Sequence, residues 1–114
     1  MPAPVTTIAW RLAHLIVGCL GWRVAWYFGG PDVDFHTFAY AGTADEALRQ
    51  LDETYQQWNA GVRGLSDTDL AKLVGPTEEP HQFPMEDLVL HINRELIHHG
   101  AEICLLRDLY RWRD

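Results

Sequence analysis

Residues 88–110 read LVLHINRELIHHGAEICLLRDLY, with leucine and isoleucine recurring at helical spacing. This pattern predicts a long amphipathic α-helix that buries one side. Three histidines and two glutamates lie within the twelve residues 91–102. So many metal-capable side chains are unusual on a helix that must pack into a core. Their position around the helix therefore decides whether they form a site or a solvated surface.

Two of these polar side chains, Glu95 and His99, border the apolar side of the helix. With Glu95 at 0°, an advance of about 100° per residue puts His99 at about +40°, His91 at about −40° and Glu102 at about −20°. His98 falls at about −60°, so His99 is the better inward candidate. The apolar side, at about +60° to +100°, consists of Ile92, Leu96 and Ile103.

Burying an unpaired carboxylate such as Glu95 is costly, and a divalent cation is one compensation. The Glu-x3-His spacing from Glu95 to His99 places two ligands one turn apart on one side of a helix. The same spacing arises by chance in any helix rich in these residues. A solvated, ion-paired surface therefore remains the alternative at this point.

A second apolar segment, AWRLAHLIVGCLGW at residues 9–22, contains a single histidine, His14. Gly18 and Gly21 lie one and two α-helical turns further along the side of His14, and Trp10 lies one turn before it. We expect the glycines to leave space beside His14 for a metal ion, water and substrate, with Trp10 as a wall. The alternative is that the glycines serve close helix packing and that His14 bonds to a carbonyl in the core.

The pattern predicts an all-α antiparallel helical bundle formed by one domain, residues 1–114. The predicted long helices cover about 6–28, 42–64 and 85–112, with Thr6 or Thr7 capping the first. Thr43 and Glu46 fit a capping box. A short helix or turn is predicted within 65–75, and nothing predicts a sheet. The apolar stripe of the second long helix consists of Ala47, Leu48, Leu51, Tyr55 and Trp58.

Composition excludes some partners. The formal net charge of −7 predicts a surface that repels phosphate backbones, so we expect no nucleic-acid partner. Cys19 and Cys104 form no CxxC motif and are expected to be reduced, buried thiols. No secretory leader is recognisable, and the apolar run 12–22 is shorter than the about 20 residues of a membrane span. We therefore expect a cytoplasmic protein without a membrane partner.

The segments TIAWRLAHL, residues 7–15, and LVLHINRELIHHGAEICLLRDLY together resemble the DinB-like superfamily of metal-binding four-helix bundles. That group includes the YfiT-like proteins and the mycothiol-dependent maleylpyruvate isomerases. The resemblance implies that His14, Glu95 and His99 are the metal ligands, with GAEI at 100–103 in place of a segment like RGQI. It places His91 beside the ligands or facing the substrate.

The resemblance implies a divalent metal enzyme with Zn²⁺ or Ni²⁺ and a small-molecule substrate. The expected chemistry is thiol-dependent transfer or isomerisation with a low-molecular-weight thiol, or hydrolysis. His91 or Glu102 would be a general base or would orient a ligand. One alternative is a non-catalytic metal- or ligand-binding module, such as a sensor, carrier or interaction protein. Another is a purely structural bundle with ion-paired Glu95 and His99.

The chain departs from the family in one respect. Members usually begin with a further helix before the first ligand helix, and here that helix is expected to be missing or shortened. The remaining helices should leave apolar surface uncovered. We therefore expect a homodimer whose interface uses the first long helix or the loop after it.

Overall fold

The computed structural model describes residues 7–78 and 80–113. Within them the chain forms four helices, which we number α1, Ile8–Phe28; α2, Ala44–Arg63; α3, Asp67–Ala71; and α4, Met85–Arg111. A 3-10 turn covers Pro76–Glu78. The described residues contain no β-strand, only an isolated antiparallel bridge between Leu73 and Pro84. The predicted all-α helical bundle is confirmed.

α1 is not a uniform α-helix. Two α-helical ends, Ile8–Ala13 and Trp22–Phe28, flank a π-helix over His14–Gly21. At the end of the π-helix the backbone N–H of Trp22 donates to the carbonyl oxygen of Val17, five residues back. Hydrogen bonds of this span widen the turn, so side chains that an α-helix would separate come onto one side. π-Helical segments inside α-helices occur frequently at functional sites.

Side-chain caps fix where the helices begin. Thr7 caps α1, while the alternative cap Thr6 lies outside the described residues. Thr43 caps α2 by accepting a hydrogen bond from the N–H of Glu46, which is one half of the predicted capping box. A complete capping box, with hydrogen bonds in both directions, begins α3 at Ser66. Such caps satisfy N–H groups that have no partner within the helix.

α1 is the central helix of the core. The residues of the π-helix from Leu15 to Gly21 are all buried. α4 adds Leu88 and Ile92, which are fully buried, and α2 adds Trp58. Burying a large aliphatic side chain contributes about 1.5–3 kcal/mol. The contact between these three helices is therefore the main source of stability.

α4 runs antiparallel to both other long helices, whereas α1 and α2 run in the same direction. Phe28 at the end of α1 packs against Trp58 and Gly61 near the end of α2. Arg11 at the start of α1 bonds instead to Glu102 near the end of α4. The parallel pair requires a connection that returns along the bundle. The 15 residues from 29 to 43 can span about 50 Å, whereas the 21 residues of α1 are about 31 Å long.

The connection from 29 to 43 packs back on α1. The ring of Phe35 lies against Gly18, where an added Cβ would be 3.0 Å from Phe35 Cζ. Val33 lies against Gly21 in the same way, at 2.9 Å. Both glycines of the π-helix therefore make room for a side chain of the connection.

By length and composition, α1 could cross a membrane. It has 21 residues, and an 18-residue window has a mean hydropathy of 1.2. The helix extends beyond both ends of the apolar run 12–22, so it is longer than the eleven residues considered in the sequence. Half of the window is buried inside the protein. Core helices of soluble proteins pass the same test, and α1 occupies the core of this bundle.

Large apolar side chains remain uncovered on α2 and α4. The predicted stripe of α2 is buried at Trp58 and half-buried at Leu51, but Leu48 and Tyr55 are exposed. Leu48, Leu51 and Tyr55 line an open groove with Leu96 of α4. Uncovered apolar surface was expected, and it lies on α2 and α4 as well as α1. The exposed members on α1 and α4 are Trp10, Trp26, Leu90, Ile97, Leu105, Leu109 and Tyr110.

Candidate metal-binding site between α1 and α4

The side chains predicted as ligands converge where α1 meets α4. His14 Nε2 lies 3.8 Å from Glu95 Oε2, and His99 Nε2 lies 2.9 Å from the same oxygen. Glu95 and His99 are one turn apart on α4, so both point to the same side of the helix. One carboxylate oxygen therefore lies between two imidazole rings from different helices.

Two other rings hold His14 in place. The indole of Trp10 stacks on it with ring centroids 5.2 Å apart and an interplanar angle of 7°. The ring of His99 meets it edge-on at 4.8 Å. Partial burial lowers the pKa of His14, and the neighbouring His99 lowers it further, although Glu95 acts in the opposite direction. These effects favour neutral imidazole, which is the form that binds metal ions.

His99 has a carboxylate at each ring nitrogen. Nε2 faces Glu95, and Nδ1 lies 2.7 Å from Glu102 Oε1. These two atoms, His99 Nδ1 and Glu102 Oε1, are buried, and their contact lacks regular hydrogen-bond geometry. On the other side, Arg11 Nε and Nη2 donate to Glu102 Oε2 at 3.0 and 2.8 Å. Glu102, held by Arg11, therefore fixes the ring of His99 on the side of Nδ1, opposite to Glu95.

The hydrogen bonds from Arg11 lower the pKa of Glu102, so this carboxylate is ionised at neutral pH. Two roles were predicted for Glu102, general base and orientation of a ligand. Its position behind His99, away from the open cleft, suits orientation of a ligand.

The two adjacent histidines differ sharply in exposure. The side chain of His98 is 64% exposed, against 15% for His99. His98 Nε2 lies 3.2 Å from Glu102 Oε1. The helical position that favoured His99 as the inward side chain thus agrees with the structure.

Cys19 is a further candidate ligand that the sequence did not indicate. Its Sγ lies 3.4 Å from His14 Nε2, and the residue is 3% exposed. Burial, together with the charge of Glu95, raises the pKa of the thiol to about 11. The expectation that Cys19 is a buried thiol holds. Cys104 is instead exposed, because it lies on the outward side of α4.

The side chains that can offer ligand atoms fall into two groups. His14, Cys19 and Glu95 each place one such atom within 4.8 Å of the other two. His98, His99 and Glu102 form the second group. The trio predicted from the sequence takes members from both, joined by the 2.9 Å contact between His99 and Glu95.

A cleft of about 430 Å³ opens next to the first group. It reaches from the ligand candidates to Phe35 of the 29–43 connection. Gly18 lines it, and the ring of Phe35 occupies part of the space beside this glycine. The full set of lining residues is His14, Gly18, Cys19, Trp22, Arg23, Phe35, His91 and Glu95.

Gly21, predicted to share this space, lies elsewhere. It packs against Val33 and lines a different cleft with Ile16 and Val24. The physical reason is the π-helix, whose wider turns rotate Gly21 off the side on which His14 lies. Close packing, the alternative considered for this glycine, explains its position.

Trp10 separates the site from a larger cavity. That cavity, about 530 Å³, is lined by apolar residues of α1, by residues 40–43 and by the first turns of α2. Trp10 borders it and stacks on His14. It does not line the smaller cleft beside His14, which is the space it was expected to wall. Apart from Trp10, the larger cavity includes none of the predicted site residues.

His91 lies at the rim of the smaller cleft. Its Nε2 is 4.0 Å from Glu95 Oε1, and its side chain is 41% exposed. Arg94 Nη2 lies 2.9 Å from His91 Nδ1. Since arginine can only donate, Nδ1 accepts, and the proton of the neutral ring is on Nε2, facing Glu95. His91 is thus placed to contact a molecule in the cleft while remaining open to solvent.

The family model for the DinB superfamily matches residues 2–103. No curated protein matches the chain, and no solved structure does.

Proposed function

The chain belongs to the DinB superfamily, and from this premise we propose that it binds a divalent metal ion through His14, Glu95 and His99. The candidates for the ion are Zn²⁺ and Ni²⁺, which accept two imidazoles and a carboxylate. The trio joins α1 to α4, so a bound ion would also hold the two helices together.

The observation that carries this proposal is the position of His99 between two carboxylates. A metal-binding histidine usually points its second ring nitrogen at a carboxylate, which fixes the ring. His99 has this arrangement, with Glu102 at Nδ1 and Arg11 behind it. His99 Nδ1 and Glu102 Oε1 lie 2.7 Å apart, so this carboxylate is within reach of the second ring nitrogen, although the contact lacks regular hydrogen-bond geometry.

We further propose that the site is catalytic and acts in thiol-dependent transfer or isomerisation, or in hydrolysis, on a small molecule. When bound, the ion would lower the pKa of a coordinated water or thiol toward neutrality. Three residues of the chain would position the ligands and the substrate. Glu102 would orient His99, Trp10 would hold His14, and His91 would contact substrate from the rim of the cleft. The cleft of about 430 Å³ offers space for a small molecule beside the trio.

Metal binding is tested by titrating metal-depleted protein with Zn²⁺ and Ni²⁺ in a calorimeter. We expect one ion per chain and at least tenfold weaker binding by His14→Ala. The matched control is His36→Ala, since His36 is exposed on the 29–43 connection. Equal affinities for parent and His14→Ala would refute the site.

A non-catalytic metal-binding module is the second candidate function. One observation favours it: His99, one of the three proposed ligands, does not line the cleft in which a substrate would bind. Thiol-dependent turnover with and without a chelator separates the two. Activity that the chelator abolishes supports the enzyme, and metal binding without turnover supports the module.

A further inference from the structure

We propose that the thiolate of Cys19 is an additional ligand of the metal site, completing a donor set of His14, Cys19, Glu95 and His99. This inference rests on the proposed metal site and adds a sulfur donor to it. The thiol proton would pass to solvent when the metal–sulfur bond forms, as occurs when cations bind cysteine.

The local backbone explains why this cysteine faces the site. In an α-helix residues five apart point about 140° away from each other. His14 and Cys19 are five apart, but they lie within the π-helix His14–Gly21, whose hydrogen bonds also span five residues. The widened turn stacks Cys19 beside His14, with Sγ 3.4 Å from Nε2.

The position of Cys19 also meets the requirements of a ligand. Its sulfur lies 3.4 Å from His14 Nε2, the imidazole nitrogen that faces Glu95 Oε2. The three candidate ligand atoms lie within 4.8 Å of one another. Cys19 lines the same cleft as His14 and Glu95, so an ion entering this cleft would meet all three.

Two consequences follow for the function of the site. A thiolate favours Zn²⁺ over Mg²⁺ and Mn²⁺, which prefer oxygen ligands. Four protein ligands also close a site that three would leave open. In the proposed thiol-dependent chemistry, Cys19 would therefore occupy the position of the external thiol, which must displace it to bind.

The test uses Co²⁺ as a spectroscopic substitute for Zn²⁺, with a phosphine in place of any thiol reductant. The full chain is metal-depleted and titrated with Co²⁺, and absorption is recorded in the visible and near-ultraviolet. We expect a thiolate-to-cobalt charge-transfer band in the parent. The band should disappear in Cys19→Ser and Cys19→Ala and persist in Cys104→Ser, whose substituted residue is exposed.

Bound Co²⁺ without a charge-transfer band in the parent would overturn the role of Cys19 and leave the His14, Glu95 and His99 site standing. A band that survives in both Cys19 variants would also overturn it. Absence of any bound Co²⁺ would overturn the proposed metal site itself, and this inference with it. If a Cys19 variant fails to fold, Cys104→Ser still decides the test, because Cys19 is its one remaining cysteine and any charge-transfer band must come from it.

Discussion

Arg11 of α1 donates two hydrogen bonds to one oxygen of Glu102 of α4, joining residues 91 positions apart in the sequence. The arginine side chain is 10% exposed. These bonds lower the pKa of Glu102 below its ordinary value of 4.5. The folded protein thus binds fewer protons here than the unfolded chain, so the stabilisation is present above about pH 4.5 and is lost as pH falls through the lowered pKa.

We expect Glu102→Gln to remove this contribution. The melting temperature of the parent should exceed that of the variant most above about pH 4.5, and the difference should shrink at lower pH. Thermal unfolding of both proteins from neutral to acidic pH measures it, with the exposed Glu86→Gln as control. If the difference in melting temperature between parent and Glu102→Gln does not change with pH, the ionised carboxylate of Glu102 does not stabilise the fold.

The parallel packing of α1 on α2 depends on Gly61. A Cβ added there would overlap the ring of Phe28. Gly61→Ala should therefore destabilise by about 1–3 kcal/mol, as overpacking does. At Gly100 an added Cβ meets nothing within 4 Å, so Gly100→Ala should stabilise the helical position by about 0.5–1 kcal/mol. Urea unfolding measures both changes, and equal effects at the two glycines would contradict the described contact.

A second copy of the chain is proposed to cover the exposed apolar side chains. The sequence suggested an interface on α1 or the loop after it, and the structure exposes further apolar residues on α2 and α4. Ile97 of α4 is 73% exposed and Trp26 of α1 is 41% exposed. A stable homodimer should bury roughly 2,000 Å² or more.

Sedimentation at micromolar concentration tests this assembly. We expect a dimer for the parent and a monomer for Ile97→Glu if α4 forms the interface, or for Trp26→Glu if α1 does. Asn93→Glu, at an exposed polar position of α4, is the control. A parent that sediments as a monomer would contradict the dimer outright.

The sequence indicated the long helices well because their signals are local. Thr7 and Thr43 mark the first residues of α1 and α2, and α4 begins directly after Pro84. The spacing of Glu95 and His99 gave their common direction, since α4 is a regular α-helix. These features depend on residues that are close in the sequence, so the spacing of residue types is enough to predict them.

The departures come from features without a local signal. The directions of side chains on α1 were predicted with the α-helical rotation of about 100° per residue. The π-helix rotates by a smaller angle per residue after His14, so those directions change. This change places Cys19 beside His14 and moves Gly21 to another cleft. The common direction of α1 and α2 depends on how the 29–43 connection returns along the bundle. That path depends on tertiary contacts, such as Phe35 against Gly18.

The central claim is that Glu95 binds a metal ion, and six melting curves test it most directly. Parent and Glu95→Gln are each unfolded with Zn²⁺ and with a chelator, and Glu86→Gln is treated identically as control. A ligand that binds only the folded protein stabilises it by about 2.7 kcal/mol at a hundredfold excess over Kd. We predict that the chelator lowers the melting temperature of the parent and of Glu86→Gln and leaves Glu95→Gln nearly unchanged. An equal chelator effect on parent and Glu95→Gln would contradict the role of Glu95, and no effect on any of the three would contradict the metal site.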